Sequence, residues 1–342
     1  MTLILIGRRR ESEREMTPMS APRTVRPAAR TALALGALVA LALTGCSSQG
    51  EGGATGGDQK IRVVTSTNVY SDLASQVGGD KVEATPVIDS TAQDPHSYEA
   101  TPQDRLTVEK ADLLVRNGGG YDQFMTDLAK DGQPVVDAVD VSGLQSQEDK
   151  DAAAEHEHAT ESGDGHQHDH GSFNEHVWYD VESMSKVVDR IAQQLGDVDQ
   201  GNAQYYTDNA TRVKGELDTL EKKVKGIGAD GGYVATEPVP GYLLEDAGLH
   251  NDTPAAFTEA IDSETDASPA VLEQTLNLVK DEHVKLLALN SQTSTGQTDR
   301  LRSTAEDSAT PVVEFTETEP DGQNYQQWMT RNVEHVAEAL KK

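Results

Sequence analysis

Residues 61–88 read IRVVTSTNVYSDLASQVGGDKVEATPVI, and this stretch sets the fold class. Ile61 to Thr67 is a β-branched, apolar run of the kind buried on both sides in a parallel sheet. Val69, Leu73 and Val77 then recur at helical spacing, and Val82 to Ile88 gives a second strand. A strand, a helix and a second strand in close succession form a βαβ unit, whose two strands lie parallel in one sheet.

The same alternation continues outward. A Pro-punctuated loop, DPHSYEATP over 94–102, leads into a helix ending near Lys110, then a strand Ala111 to Arg116 and the glycines 118–120. Tyr121 to Ala129 has helical spacing, and Pro134 to Val141 is expected to be extended. From Asp180 a helix carries Val181, Met184, Val188, Ile191 and Leu195 on one face, with a break expected at Gly196. Residues 202–225 form a second helical pattern with Tyr205, Tyr206, Val213, Leu217, Leu220 and Val224, long enough to cross a small domain. The second half is expected to contain strands at Gly232 to Thr236, Val284 to Asn290 and Val312 to Thr316. Its helices are expected at Tyr242 to Ala247, Pro269 to Glu282, Thr298 to Ser308 and Tyr325 to Leu340, with only a connecting loop from Gly248 to Ser268. The expected fold is α/β: two small parallel-sheet lobes joined by one long rigid helix, with a site in the cleft between them.

The chain has 342 residues, with 29 basic against 58 acidic side chains and a net charge of -29. So negative a surface repels nucleic acid and draws cations. Before the folded part, Arg23, Arg26 and Arg30 precede an apolar run from Thr31 to Leu43, too short to span a bilayer. This is the layout of an export signal over 1–45, with Met16 and Met19 as further possible starts. Leu43-Thr44-Gly45-Cys46 resembles the bacterial lipoprotein box, which implies lipidation of Cys46, the single cysteine of the chain. Residues 46–59, rich in Gly and Ser, are expected to be a flexible tether. The expected bodies are then 60–199, with a disordered acidic and His-rich insertion at 146–172, a linking helix at 200–227, and 228–342.

Of ten histidines, six lie between Glu155 and Val181. His156, His158, His166, His168 and His170 sit in the low-aliphatic tract and have the makings of a metal collector. His176 sits in an apolar context, HVW. In an α/β protein, ligand groups are expected just past strand ends. His96 follows the second strand, Glu237 follows 232–236 and Glu317 follows 312–316. His250, His283 and His335 have no companions at ligand spacing and are expected to be surface residues. Asn290 to Thr293 are placed to hydrogen-bond ligand carboxylates.

DPHSYEATPQD with ADLLVRNGG, and NEHVWYDV, resemble the two histidine motifs of the zinc and manganese substrate-binding proteins of bacterial ABC importers, the zinc-uptake solute-binding family. The resemblance runs from about Ile61 to Leu340. It implies four ligands, two from each lobe: His96 and His176 match directly, Glu237 falls on the third position, and Glu317 stands where an aspartate is usual, with Glu319 and Glu314 as alternatives. It further implies an extracytoplasmic lipoprotein, expected to be monomeric and anchored through Cys46, that delivers its ion to a membrane permease.

Two imidazoles and two carboxylates carry a charge of -2, which offsets a divalent ion on burial. Zn²⁺ accepts such a set as a tetrahedron, and Mn²⁺ tolerates it. The solvated imidazoles of the tract favour zinc, with manganese as the alternative. An enzyme is not expected: no HExxH is present, since Thr160 stands where the second histidine belongs. Four protein ligands also leave no open position for catalysis. A surface metal buffer or adhesin is the other class, separable by growth of a deletion strain under chelation.

Overall fold

The computed structural model describes residues 60–146, 173–263 and 265–341. The expected signal peptide 1–45, Cys46, the tether 46–59 and the five tract histidines lie outside the described residues.

The first half runs β1 (Ile61–Thr67), α1 (Asn68–Gly78), β2 (Val82–Ile88), α2 (Pro102–Val108), β3 (Leu113–Arg116), α3 (Gln123–Leu128), β4 (Val135–Asp137) and α4 (Ala138–Ser142). Two long helices follow, α5 (Val181–Val198) and α6 (Ala203–Lys225). The second half runs β5 (Gly232–Ala235), α7 (Gly241–Asp246), β6 (His250–Asn251), α8 (Ala255–Asp262), α9 (Pro269–Val279), β7 (Val284–Asn290), α10 (Gly296–Asp307), β8 (Val312–Phe315) and α11 (Tyr325–Ala339).

The strands form two sheets, ordered β2-β1-β3-β4 and β6-β5-β7-β8, and every pairing is parallel. Both sheets thus carry the same strand order, which is the pair of α/β lobes expected from the alternation. The central strands β1, β3, β5 and β7 are buried on both faces, as parallel strands covered by helices are, while the edge strands are partly exposed. On β1, Val63 joins the main core while Val64 joins a smaller cluster with Leu114 and Met125. On β7, Leu286 and Ala288 face the main core, and Leu287 faces a cluster with Leu276 and Leu301.

The main core is continuous from the first lobe through α5 and α6 into the second. Helix α6 buries Tyr206, Ala210, Val213, Leu217, Leu220 and Val224, a stripe at the three- and four-residue steps of one helix face. Its 23 residues span about 35 Å at 1.5 Å per residue. Tyr205, read from the pattern as part of that face, is exposed and donates to Asp80 Oδ1 at 3.2 Å. Helix α11 returns against the first lobe: the Tyr325 amide donates to Asp72 Oδ2 at 3.0 Å, and Gln76 and Gln326 join their side-chain amides at 2.8 Å.

Three local expectations fail. The extended reading of 134–141 stops at Asp137, whose side chain accepts from the Asp140 amide and starts α4; Gly143, with φ of 71°, ends it. Gly196 does not break α5, which continues to Val198; the residue is small because Ala203 lies 3.2 Å from where its Cβ would be. The segment 248–268 holds β6 and α8 rather than a bare loop. Among the described residues, no helix is long and apolar enough to cross a membrane.

Candidate metal centre

The four sequence-derived ligand candidates stand at the carboxyl ends of strands or at the entrance to a helix, where backbone leaves a sheet and side chains are free to converge. His96 lies in the loop after β2, held by an Asx-type turn in which the His96 amide donates to Asp94 Oδ1 at 3.0 Å. His176 opens a single 3₁₀ turn, Val177–Tyr179, before α5. Glu237 and Glu317 each follow the end of their strand by two residues.

His96, His176 and Glu317 meet. His96 Nε2 is 3.4 Å and His176 Nε2 is 4.0 Å from Glu317 Oε2. One ligand atom from each lies within 4.8 Å of the others, a set that one metal ion can bridge. The side chains of His176 and Glu317 are fully buried, and that of His96 is 10 % exposed. Glu237, 3 % exposed, stands one hydrogen bond further out. The Asn290 amide nitrogen, at the end of β7, donates to Glu237 Oε2 at 2.8 Å and to Glu317 Oε1 at 2.7 Å, so one side chain yokes both carboxylates. Thr293 Oγ1 donates to the other oxygen of Glu237. Of the segment 290–293, Asn290 and Thr293 thus make the expected bonds to carboxylates, whereas Ser291 donates to Phe315 O at 3.0 Å.

The two alternatives to Glu317 point elsewhere. Glu314 is exposed and pairs with Arg302 at 2.6 Å. Glu319 is buried beside Asp72, which holds its carboxyl neutral, up at about 10, through desolvation first and the neighbouring charge second.

Two positioning residues, Asn174 and Tyr121, escaped the sequence reading, and a third, Gln292, was expected to bind a ligand carboxylate but holds backbone amides instead. Asn174 Oδ1 accepts from the His176 amide at 3.1 Å and lies 2.8 Å from His176 Nδ1. A carboxamide oxygen accepts, so Nδ1 carries the proton and Nε2 presents its lone pair to the site. Tyr121 donates its hydroxyl to Glu317 Oε2 at 3.0 Å and stacks edge-on against His96. Gln292 spans the lobes: its amide nitrogen donates to Gln93 O at 2.9 Å, while its oxygen accepts from the Glu317 and Thr318 amides at 2.6 and 3.0 Å. Of Asn174 and Tyr121, only Asn174, two residues before His176, left a trace in the sequence, since Asx turns of this kind are local.

The electrostatics favour a cation. Burial raises the Glu317 carboxyl, but the His96 and His176 imidazoles and the Asn290 amide outweigh it and hold it at about 2. Burial, followed by the charge of Glu317, pushes Glu237 up to about 7. A divalent ion entering this site would replace the proton on Glu237 and relieve the repulsion between two buried carboxylates.

The chain is similar over most of its length to known proteins. The chain is 26% identical over 329 residues to the manganese ABC transporter substrate-binding lipoprotein PsaA of Streptococcus pneumoniae serotype 4, covering 89% of this chain and 96% of that one. It is 25% identical over 337 residues to the iron ABC transporter substrate-binding lipoprotein MtsA of Streptococcus pyogenes serotype M1, covering 92% and 99%. In fold it resembles the periplasmic zinc binding protein TroA from Treponema pallidum, with a TM-score of 0.64, 19% identity, and coverage of 82% of this chain and 99% of that one. It likewise resembles FpvC from P. aeruginosa in complex with Ni²⁺, with a TM-score of 0.64, 22% identity, and coverage of 83% and 97%. The model of one family, ZnuA, described as the zinc-uptake complex component A, periplasmic, matches residues 63–339, and the chain belongs to that family.

Proposed function

We propose that the protein captures one divalent metal ion, zinc by preference, through His96 Nε2, His176 Nε2 and the carboxylates of Glu317 and Glu237, and hands it to a membrane permease. At the coarser level, family membership makes it a metal-binding component of an ABC importer and not an enzyme. The observation that carries the finer reading is the approach of two imidazole nitrogens to one buried carboxylate oxygen, at 3.4 and 4.0 Å. Small rotations that place these atoms about 2.0–2.2 Å from a common centre would give the bond lengths zinc takes with nitrogen and oxygen.

In this reading 60–199 and 228–342 are the two lobes and 200–227 the linking helix. Cys46 carries the lipid anchor of an extracytoplasmic monomer, a reading supported by the lipoprotein names of its relatives. His156, His158, His166, His168 and His170 gather ions near the site by effective concentration. Manganese is the second reading. It is favoured by the paired carboxylates, since oxygen donors suit Mn²⁺, and by the relatives named for manganese.

Competition titrations with Zn²⁺ and Mn²⁺ test this, in a chain lacking residues 155–170 so that the tract does not contribute. We expect one tight zinc equivalent and weaker manganese, with His96→Ala and His176→Ala each lowering affinity by at least ~100-fold, beyond what loss of a supporting residue causes. Unchanged affinity in both variants would overturn the assignment; manganese binding more tightly would select the second reading.

A further inference from the structure

A second constellation of metal-ligating side chains lies on the second sheet, in residues the sequence reading left as unaccompanied surface histidines. His250 is the first residue of β6, Asp252 follows that strand, and His283 immediately precedes β7. The two strands flank β5, with Gly232 paired to His250 on one side and Val284 on the other. Because Gly232 has no side chain, the flanking groups meet over it: a Cβ there would lie 1.8 Å from Asp252 Oδ2.

The result is a close triangle. His250 Nε2 and His283 Nε2 are 2.8 Å apart, His250 Nε2 is 3.4 Å from Asp252 Oδ1, and His283 Nε2 is 3.9 Å from Asp252 Oδ2. A tetrahedral zinc ion with bonds of about 2.0–2.1 Å has ligand atoms about 3.4 Å apart, the middle of this range. The backbone of all three residues is fixed by the sheet: the His250 amide donates to Gly231 O at 3.1 Å, the Asp252 amide to Tyr233 O at 2.9 Å, and the Gly232 amide to His283 O at 3.1 Å.

We infer that His250, His283 and Asp252 form a second metal site, separate from the inter-lobe centre, which takes a borderline divalent ion such as zinc with two nitrogens, one carboxylate oxygen and water. The single proton held between the two Nε2 atoms moves to Nδ1 of its ring, leaving two neutral imidazoles with lone pairs directed at the ion. The two histidines are about half exposed, which leaves room for water and makes the site weaker and faster to exchange than a buried one. Two nitrogens among three protein donors favour zinc, nickel and copper over manganese, magnesium and calcium. The inference stands independently of the reading of the inter-lobe centre.

The test is histidine modification by diethylpyrocarbonate on the full chain, read by peptide mass mapping across a titration of zinc sulfate. Residue-resolved labelling separates this site from the tract and from His96. We expect His250 and His283 to be protected together at micromolar free zinc while His335, exposed on α11, stays reactive. His250→Asn and Asp252→Asn should each raise the zinc concentration that protects His283 by at least ~10-fold and leave protection of His96 unchanged. Gly232→Ala should act likewise by displacing the carboxylate. Protection of His283 that is unaltered by His250→Asn, that needs millimolar zinc, or that is shared by His335 would show a histidine–histidine hydrogen bond and no metal site.

Discussion

Glu237 and Glu317 illustrate how residues of one chemical type take different states a few ångströms apart. Glu317 receives Tyr121, Asn290 and two imidazoles, and it stays ionised near 2; Glu237 receives only Asn290 and Thr293 and titrates at about 7. The sign of the resulting pH dependence follows directly. A metal ion requires the carboxylate form, so below about pH 7 each binding event must expel the Glu237 proton, and above it no such cost remains. Affinity should therefore rise with pH up to about 7, with Glu237 contributing up to one logarithmic unit per pH unit. Glu237→Gln should bind more weakly and show a slope shallower by one proton between pH 5.5 and 7. Titrations giving both proteins the same slope would contradict the role of Glu237. The sequence made these ligand candidates legible because each stands just past a strand end. It did not show that Asn290 would join the two carboxylates, since that contact links residues 53 and 27 positions apart.

At the scale of elements, the segment joining β8 to α11 buries a carboxyl, Glu319, at an electrostatic cost. Glu319 is 5 % exposed, and among the described residues its Oε1 has no hydrogen-bond partner; the Asn68 side chain binds its backbone, at 3.0 and 2.8 Å. Its folded pKa of about 10 lies above the ordinary value of 4.5. A raised carboxylate favours the folded state fully only below the unfolded value, and it loses that contribution as pH climbs toward the folded one. Glu319→Gln should therefore match the parent in stability near pH 4 and exceed it progressively above pH 5, by at most about 1.4 kcal/mol per pH unit. Denaturant melts in which the gap stays constant from pH 5 to 8 would refute this. The long helices and the strands β1, β2 and β7 were readable because their apolar spacing is regular over seven residues or more. The short α4 and β6 were not, because α4 depends on the capping side chain of Asp137 and β6 on pairing with β5. The His250–His283 pair was hidden for the same reason, as 33 residues and a central strand separate partners that touch.

On the scale of the whole molecule, the continuous core through α5 and α6 argues for limited movement between lobes. Cross-lobe hydrogen bonds reinforce it: Tyr179 to Thr316 O at 2.7 Å, Asn174 to Pro238 O at 3.0 Å, and Gln292 to Gln93 O at 2.9 Å. On the proposed assignment of the site, exchange of the ion would proceed by shifts in the His96 loop, the part of the site with residual exposure, more than by a wide hinge opening. All of this rests on one cation held between the lobes by His96, His176, Glu317 and Glu237. Anomalous diffraction at the zinc absorption edge, from crystals grown with equimolar zinc, measures that directly. The account predicts a peak about 2.0–2.2 Å from His96 Nε2, His176 Nε2 and an oxygen of Glu317, with Glu237 turned to complete the shell. A fully occupied zinc peak elsewhere, with none between these side chains, would contradict it.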